Sequence, residues 1–327
     1  MNNFCTLFDS VYLSRGLLLY ESIKEKSNGF HLYIFAFDGL AYEILIKLRL
    51  ESATIISLKE FENQDLLNVK ETRTRAEYCW TCTSSVIDFV LSNYKVPSCT
   101  YLDADLFFYN SPDVLLNELD GNKTVLITEH RFSKFASLIE KKRAGRFCVQ
   151  FITFTDDKNS RDVLKKWIGQ CIDWCYDRYE KGKFGDQKYL ETWPEEYANV
   201  HILEHKGGGV APWNAGQYRF IKGDNRILGV DSEKNAIFEV IFFHFHYVRI
   251  IQGGYADLGW NRLRQGIIDL FYKPYIQKLI SMEKYLETTF PEYKMTIQKV
   301  KLTGTKDIIK HLYKRIVKFN LIMLPKG

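Results

Sequence analysis

Short runs of apolar, β-branched and aromatic residues recur along the chain, separated by longer segments in which apolar positions follow a helical spacing. The runs have the length and composition of buried strands and cover residues 3–8, 31–37, 54–58, 98–102, 124–128, 147–154, 200–203 and 237–245. The clearest helical segments cover residues 13–24, 42–49, 77–91 and 160–181. Because strands alternate with helices, we predict an α/β fold with a mostly parallel central sheet flanked by helices.

No stretch rich in proline, glycine and serine divides the 327 residues into two halves, and the chain has only seven prolines. Its hydrophobic content of 46% is ample for one large core. We therefore predict one principal domain over residues 1–260, followed by a helical C-terminal extension over residues 261–327.

The positive charge is concentrated in this extension. The chain carries a net +5, whereas residues 299–318 alone contain seven Lys or Arg and one Asp. The rest is near neutral, which argues against a broad basic face and predicts no nucleic-acid partner. Apolar residues at helical spacing make the tail a basic amphipathic helix, which suits either an anionic membrane surface or docking on its own domain. Both interpretations stay open.

The chain start lacks a basic segment followed by an apolar run, and no apolar stretch approaches the roughly 18 residues that span a bilayer. The seven cysteines are an odd number at scattered positions, which favours reduced thiols over a disulfide framework. We predict a cytoplasmic protein, peripheral on the inner face of the cytoplasmic membrane if the tail binds lipid.

The most informative motif is an acidic pair at the end of a predicted strand, in the sequence SCTYLDADLFFYNSP. The strand delivers Asp103 and Asp105 to its carboxyl end, with the small Ala104 between them. Ligands of open α/β sheets bind at the carboxyl ends of strands. Two carboxylates one residue apart can share a hard divalent cation and leave its other positions to water and phosphate oxygens. An Asp pair that only caps a turn is the simpler alternative, but the apolar flanks favour a buried site.

The block YLDADLFFYNSP resembles the metal-binding motif of retaining GT-A fold glycosyltransferases. It is most similar to family 8, which includes bacterial surface-polysaccharide galactosyl- and glucosyltransferases and glycogenin. The resemblance implies the GT-A fold for the predicted sheet. It also implies that Asp103, Ala104 and Asp105 lie at the donor site, where the two carboxylates bind Mn²⁺ or Mg²⁺ against the diphosphate of a nucleotide sugar.

Two further blocks fit the same resemblance. The chain start, CTLFDSVYLSRGLLLYESI, is similar to the family's first strand and nucleotide loop, which implies that Asp9 and Tyr12 contact the uridine. The block FGDQKYL resembles the family's Asp-Gln segment, which lies against the donor sugar. A retaining transfer needs a group that attacks the anomeric carbon or stabilises its positive charge, and Asp186 with Gln187 are the candidates. The simpler alternative for each Asp is a helix cap.

The block HKGGGVAPWN resembles the family's closing loop, whose histidine is the third metal ligand, so His205 is the candidate here. Glycines let a backbone approach a diphosphate closely, which assigns Gly207 and Gly208 to the donor site. An imidazole ligand favours Mn²⁺ over Mg²⁺. The chain departs from the family at Ala211, where a phosphate-binding Lys usually precedes Pro-Trp, and Lys206 is the candidate replacement.

The helix before the acidic strand lacks the arginine that the family carries near the donor. Arg73 and Arg75 lie upstream and could reach the phosphates or be solvated, and Arg75 is taken as the candidate. In the sequence FFHFHYVR, His244 and His246 share one face of a strand. They could line the site, replace His205 as the metal ligand, or form a structural pair, and these alternatives stay open.

The resemblance implies a metal-dependent transfer of a hexose from a nucleotide-diphosphate sugar, expected to be a UDP-sugar, to a saccharide or lipid-linked acceptor. Retention of configuration and a place in bacterial lipopolysaccharide or capsule synthesis are implied in the same way. One competing interpretation is a non-catalytic relative that binds nucleotide sugars. Another is an Asp-x-Asp phosphatase, but Phe107 stands where that class needs a small Thr or Val.

Overall fold

The computed structural model describes residues 1–133, 140–231, 233, 236–298, 309, 313 and 320–324. Its strands in chain order are β1 Asn2–Phe8, β2 Phe30–Ala36, β3 Ala53–Ser57, β4 Ser98–Leu102, β5 Leu106–Phe108, β6 Val125–Glu129, β7 Phe147–Thr155, β8 Val200–Ile202, β9 Arg219–Lys222, β10 Ile227–Asp231, β11 Ala236–Glu239, β12 Phe242–His244, β13 Arg249–Ile251, β14 Tyr255–Asp257 and β15 Leu321–Met323. The helices are α1 Leu13–Lys26, α2 Gly39–Leu48, α3 Leu58–Phe61, α4 Gln64–Lys70, α5 Arg75–Tyr94, α6 Asp113–Leu116, α7 Lys158–Asp173, α8 Trp193–Glu196, α9 Gln265–Ile267 and α10 Lys273–Thr289. Short 3₁₀ turns cover Gln187–Thr192 and Ala215–Gln217, and a π-helical turn covers Ile268–Tyr272.

The central sheet has seven strands in the order β3-β2-β1-β4-β7-β6-β8. Strand β1 pairs in parallel with β2 and β4, β2 with β3, and β6 with β8. Strand β7 alone runs antiparallel to its neighbours β4 and β6 in this sheet. The mostly parallel sheet flanked by helices that the sequence predicts is therefore confirmed.

Side-chain caps begin several helices directly after the carboxyl ends of strands. Asp38 accepts a hydrogen bond from the Ala41 N–H at the start of α2. Ser57, the last residue of β3, accepts a hydrogen bond from the Glu60 N–H at 3.2 Å at the start of α3. Such caps satisfy backbone N–H groups that have no partner within the helix. They fix where each chain segment turns back, and so place the polar residues of these turns along one edge of the sheet.

Two predicted elements end differently in the structure. The helix predicted over 160–181 ends at Asp173, because Trp174 adopts an extended conformation. The apolar run over 237–245 divides into two strands that belong to different sheets. Its first part, β11, pairs with β10, and its second part, β12, pairs with β5. This division brings the second part next to the acidic pair.

Apolar side chains pack on both faces of the central sheet. One cluster lies under α5 and α7 and includes Trp167 and Trp193, whose rings meet edge to face with centroids 5.5 Å apart. A second cluster lies under α1 and α2 and includes Phe108 and Phe242 from the β5–β12 pair. The strand pair that carries the candidate site is therefore anchored in the core by its alternate residues.

The described part of residues 261–327 packs on the principal domain. Glu283 of α10 is buried and accepts hydrogen bonds from Ser14 Oγ at 2.6 Å and Tyr293 Oη at 2.8 Å, which ties α10 to α1. Strand β15 pairs with β14. The boundary at residue 260 stays a prediction. The predicted basic helix of the tail falls almost entirely outside the described residues.

None of the helices within the described residues combines the length and apolarity needed to cross a membrane.

Gly207 provides a test of how tightly the loop before β9 is packed. A Cβ atom at this position would lie 1.7 Å from the backbone oxygen of Glu239, so a side chain forces the loop and β11 apart. We expect Gly207→Ala to lower the free energy of unfolding by about 1–3 kcal/mol or more, as overpacking does. In α7, a Cβ at Gly169 would meet nothing within 4 Å. As the control, Gly169→Ala should raise the free energy of unfolding by about 0.5–1 kcal/mol. Urea unfolding measures both, and a Gly207→Ala protein as stable as the wild type would contradict the packing.

Candidate active site

The acidic pair lies in a turn between β4 and β5 that is held from two sides. The Asp103 N–H donates to the Gln150 carbonyl oxygen of β7 at 3.1 Å. The Asp105 carbonyl oxygen accepts from the Phe245 N–H at 2.9 Å. Asp105 is buried and Asp103 is half-buried. The turn therefore has little freedom to move the carboxylates apart.

The pairing of β5 with β12 brings a histidine onto this pair. His244 lies opposite Leu106 in the antiparallel register. Its Nε2 atom is 2.9 Å from Asp105 Oδ1 and 3.6 Å from Asp103 Oδ2. Two residues further on, His246 is exposed and completes a cluster in which Asp105, His244 and His246 each offer one ligand atom. These three atoms all lie within 4.8 Å of one another.

Buried groups behind His244 fix its orientation. Its Nδ1 atom is 2.6 Å from Gln150 Oε1, which can only accept a hydrogen bond. With Nδ1 donating to this oxygen, Nε2 is the nitrogen that faces the carboxylates. Such a supporting contact orients imidazole ligands in metal sites. Gln150 Nε2 is buried and has no hydrogen-bond partner within the described part of the chain.

The charges of the cluster depend on each other. Burial opposes a charge on His244, but the neighbouring Asp105 carboxylate outweighs this and holds the pKa of His244 well above its ordinary value. Burial likewise opposes ionisation of Asp105, but His244 holds the pKa of Asp105 below its ordinary value. Burial, with repulsion from Asp105, raises the pKa of Asp103 against the opposing effect of His244. The two carboxylates can therefore both be ionised only with a positive charge between them. Either a protonated imidazole or a divalent cation can supply that charge.

The donor set fits a divalent cation. Carboxylate oxygens with imidazole nitrogens are the ligands that Mn²⁺ and related ions accept, whereas Mg²⁺ prefers oxygen alone. Asp103, Asp105 and His244 are the residues that would hold the ion, with His246 at the open side of the cluster.

His205, the third ligand expected from the sequence, lies outside this cluster. Its backbone N–H donates to Glu118 Oε1 at 2.8 Å, and its Nδ1 accepts from the Gly207 N–H at 3.2 Å. Arg131 donates to the carbonyl oxygens of His205 at 3.2 Å and of Gly208 at 3.0 Å. These contacts keep the loop folded on itself. Among the described residues, the geometry therefore supports the alternative in which the 244–246 segment supplies the histidine ligand.

The remaining donor-site candidates of this loop are also engaged in internal contacts. Lys206 Nζ forms an ion pair with Asp231 Oδ2 at 2.7 Å. The N–H groups of Gly207 and Gly208 donate to His205 Nδ1 and to the His205 carbonyl oxygen. A Cβ at Gly208 would meet Leu203 at 2.6 Å, so this glycine permits close packing of the loop. The structure does not bring Lys206 or these two glycines to the acidic pair.

The candidates at the chain start come together as a charged cluster. Asp9 is buried beyond β1, and Arg75 at the start of α5 binds both its carboxylate and Asp38, the latter at 2.7 Å. Burial raises the pKa of Asp9 in spite of the Arg75 charge. The ring of Tyr12 is partly exposed and lies under the Arg15 guanidinium at 4.8 Å. Asp9, Tyr12 and Arg75 thus lie at the same sheet edge as the acidic pair, but Arg75 is already paired.

Asp186 is buried within electrostatic reach of the acidic pair. The Trp167 indole donates to its carbonyl oxygen at 2.9 Å, which fixes the backbone. Burial, reinforced by the negative charge of Asp103, raises the pKa of Asp186 to about 7, while a hydrogen bond from Thr83 opposes the rise. Gln187 is half-buried, and its amide donates to the Ala144 carbonyl oxygen at 2.6 Å. The charge of Asp103 therefore acts on Asp186, and Gln187 ties its own segment to the one that contains Ala144.

Residues that sequence reasoning missed complete the surroundings. Trp213 packs its ring edge to face with His244 and His246, at centroid distances of 5.3 and 5.7 Å, and its indole donates to the His130 carbonyl oxygen. Gln150 supports His244 from β7. The signal for Gln150 was a polar residue at the centre of the apolar run over 147–154, where a buried amide needs a partner.

Comparisons with known proteins place this geometry in a fold class. No protein-family model matches the chain. The uncharacterized protein YfnD of Bacillus subtilis (strain 168) is 29% identical over 297 residues, which cover 89% of this chain and 93% of YfnD.

Two solved structures have similar folds. The galactosyltransferase LgtC, in complex with donor and acceptor sugar analogs, is similar with a TM-score of 0.51 and 11% identity over 85% of this chain and 95% of LgtC. The bifunctional glycosyltransferase WbbM is similar with a TM-score of 0.52 and 12% identity over 90% of this chain and 52% of WbbM. At these identities the likeness shows the fold, which is the GT-A fold.

The raised pKa of Asp186 predicts a pH dependence of stability. In the metal-free protein, the unfolded chain ionises Asp186 near its ordinary pKa of 3.8, whereas the folded protein keeps the proton until about pH 7. The contribution of protonated Asp186 to the free energy of unfolding is therefore fully present below the pKa of the unfolded chain. It is lost as the pH rises towards 7. Relative to Asp186→Asn, the wild type should lose at most about 4 kcal/mol of unfolding free energy between pH 4 and 8. The slope is ~1.4 kcal/mol per pH unit.

Urea unfolding in EDTA at a series of pH values measures this difference. The exposed Asp162, changed to Asn, is the matched control and should show no such trend. A constant difference between wild type and Asp186→Asn across this range would contradict the burial of an ionisable carboxyl at this site.

The Gln150–His244 contact predicts a loss of metal affinity. Gln150→Leu removes the acceptor for His244 Nδ1. We expect Mn²⁺ to bind about 10–100-fold more weakly, as is typical when a group that supports a histidine ligand is lost. Gln150→Glu keeps an acceptor oxygen and should bind Mn²⁺ at least as well as the wild type. Isothermal titration measures both, and equal affinities for wild type and Gln150→Leu would argue against His244 as a ligand.

Proposed function

We propose that this chain is a divalent-metal-dependent glycosyltransferase that moves a hexose from a nucleotide-diphosphate sugar to a saccharide acceptor. The observation that carries the proposal is the convergence of Asp103, Asp105 and His244 at the carboxyl ends of strands in a GT-A fold. A bound Mn²⁺ would act as a Lewis acid that neutralises the charge developing on the departing diphosphate. The donor is proposed to be a UDP-sugar.

The residues of the chain itself orient the donor. Asp103, Asp105 and His244 would hold the cation, and Gln150 keeps the imidazole in place. Arg15 is buried and fixed by donation to the Val248 carbonyl oxygen at 2.8 Å, and its charge acts on Asp105. Fixed cations beside a metal site favour the binding of a diphosphate over water.

Asp186 is proposed to act at the donor sugar. Its pKa of about 7 reflects burial and the negative charge of Asp103. A cation bound at Asp103 would offset that charge and favour the ionised carboxylate, which can then stabilise the positive charge at the anomeric carbon. Retention of configuration belongs to this proposal, with Asp186 on the β-face and Gln187 beside it.

The wider role is proposed from the same resemblance. The acceptor is a saccharide or a lipid-linked saccharide, and the setting is the cytoplasmic synthesis of a bacterial surface polysaccharide. Contact of the basic tail with the membrane stays a prediction, because residues 299–318 fall almost entirely outside the described part.

A non-catalytic protein that binds nucleotide sugars is the second candidate. Two cations that could have bound the diphosphate are engaged within the protein, because Lys206 is paired with Asp231 and Arg75 with Asp9 and Asp38. Such a protein would bind UDP-sugars with Mn²⁺ but would neither hydrolyse nor transfer them.

Asp103→Asn tests the proposed reaction. The substitution removes one negative ligand while keeping the shape of the side chain. We expect Mn²⁺-dependent release of UDP from UDP-glucose or UDP-galactose to fall at least about 100-fold, the usual effect of losing one preorganised electrostatic contact. Circular dichroism should show an unchanged fold, and EDTA should abolish the wild-type activity.

The exposed Asp162→Asn is the control and should keep full activity. Full activity of Asp103→Asn in EDTA would refute the proposed mechanism. Tight binding of UDP-sugars without any turnover by the wild type, with each saccharide acceptor tried, would favour the non-catalytic candidate.

A further inference from the structure

The second histidine of the 244–246 segment points into the same cleft as the first. Strand β12 ends at His244, and His246 follows in the turn closed by the hydrogen bond from the Val248 N–H to the Phe245 carbonyl oxygen. Phe245, the residue between the two histidines, stacks flat on Tyr275, with centroids 3.7 Å apart and an interplanar angle of 2°. Phe245 is thereby anchored in the core, and the ring nitrogens of His244 and His246 come together beside Asp105.

The two imidazole rings are arranged to share one ion. Their centroids are 5.6 Å apart and their planes are nearly perpendicular, at 84°. One ring nitrogen of each and one oxygen of Asp105 lie within 4.8 Å of one another. Bonds of about 2.0–2.2 Å to one ion put two ligand atoms at most ~4.4 Å apart. A shift of a few tenths of an ångström therefore brings all three atoms onto one cation.

The neighbouring Trp213 ring restrains both imidazoles, while His244 Nε2 stays in contact with Asp105 Oδ1 at 2.9 Å. The Trp213 ring meets His244 at an interplanar angle of 82° and His246 at 66°, so it packs against both. Trp213 is itself fixed by its hydrogen bond to the His130 carbonyl oxygen at 2.9 Å. His246 also remains exposed, which leaves a path for an ion to enter from solvent.

We infer that His246 is a second imidazole ligand of the catalytic cation, and that it makes the site select a transition-metal ion such as Mn²⁺ over Mg²⁺. The inference rests on the proposed function, since it concerns the ion of that same site. Two nitrogen ligands beside carboxylate oxygen suit Mn²⁺, Fe²⁺, Co²⁺ or Zn²⁺, whereas Mg²⁺ demands oxygen ligands in near-ideal octahedral geometry. His246 thereby contributes selectivity that the two aspartates alone do not provide.

The test compares wild type with His246→Gln, using Mn²⁺ alone and Mg²⁺ alone as probes. Pulsed electron paramagnetic resonance of bound Mn²⁺ should show nitrogen couplings from two imidazoles in the wild type and from one in His246→Gln. Isothermal titration should show Mn²⁺ affinity falling at least about tenfold, since even a group that only supports a ligand contributes ~10–100-fold. The affinity for Mg²⁺ should change much less, so the ratio of Mn²⁺ affinity to Mg²⁺ affinity should fall.

His31→Gln is the matched control, because this imidazole lies on β2 and contacts Thr54 at 2.8 Å. It should keep both imidazole couplings and both affinities. Unchanged couplings and an unchanged Mn²⁺ to Mg²⁺ preference in His246→Gln would overturn the inference and indicate that His246 contacts a substrate instead. Because His246 is exposed, we expect the variant to melt at the wild-type temperature.

The two proposals fail in different ways. A wild type that shows two imidazole couplings but never turns over a nucleotide sugar leaves the metal assignment standing and removes the proposed reaction. A wild type that transfers sugar while its Mn²⁺ shows one imidazole coupling retains the proposed function and removes His246 as a ligand.

Discussion

The cleft depends on two like charges that the backbone does not allow to separate. Asp103 and Asp105 leave the same strand end with one residue between them, and both backbones are tied to neighbouring strands. At so short a spacing, with Asp105 buried, both carboxylates stay ionised only beside a positive charge. The β5–β12 pairing provides one by placing His244 on Asp105. The small two-stranded sheet thus contributes the electrostatic balance of the site as well as its shape.

The same arrangement is consistent with supporting residues that are uncharged. Gln150 lies behind His244 and Trp213 lies beside it. Neither carries a charge, so they restrain the imidazole without competing for the carboxylates. Arg131 holds the neighbouring loop through three carbonyl oxygens, those of Leu203, His205 and Gly208. Gln150, Trp213 and Arg131 therefore restrain the residues around the acidic pair. The charged groups between them can then pair with a ligand instead of with each other.

The sequence predicted the layout of the sheet and the position of the acidic pair because both depend on local pattern. Alternating strands and helices dictate a parallel sheet, and a strand that ends in Asp103 presents it at the carboxyl edge. The identity of the partner histidine depends instead on which distant strands pair. His205 follows β8 in a glycine-rich loop and had the more suggestive motif, whereas His244 reaches the site through a register between residues far apart in the chain. Arg75 was placed near the donor by its position, but nothing in the sequence indicated that two carboxylates would bind it.

Arg75 spans the ends of two strands, since Asp9 follows β1 and Asp38 follows β2. A guanidinium group has several donors in a rigid plane, so it can release one carboxylate and keep the other. A ligand that binds Asp9 in place of Arg75 therefore leaves the guanidinium held by its ion pair with Asp38. Only the ion pair with Asp9 is lost, and the donors of Arg75 that it releases can then bind the ligand.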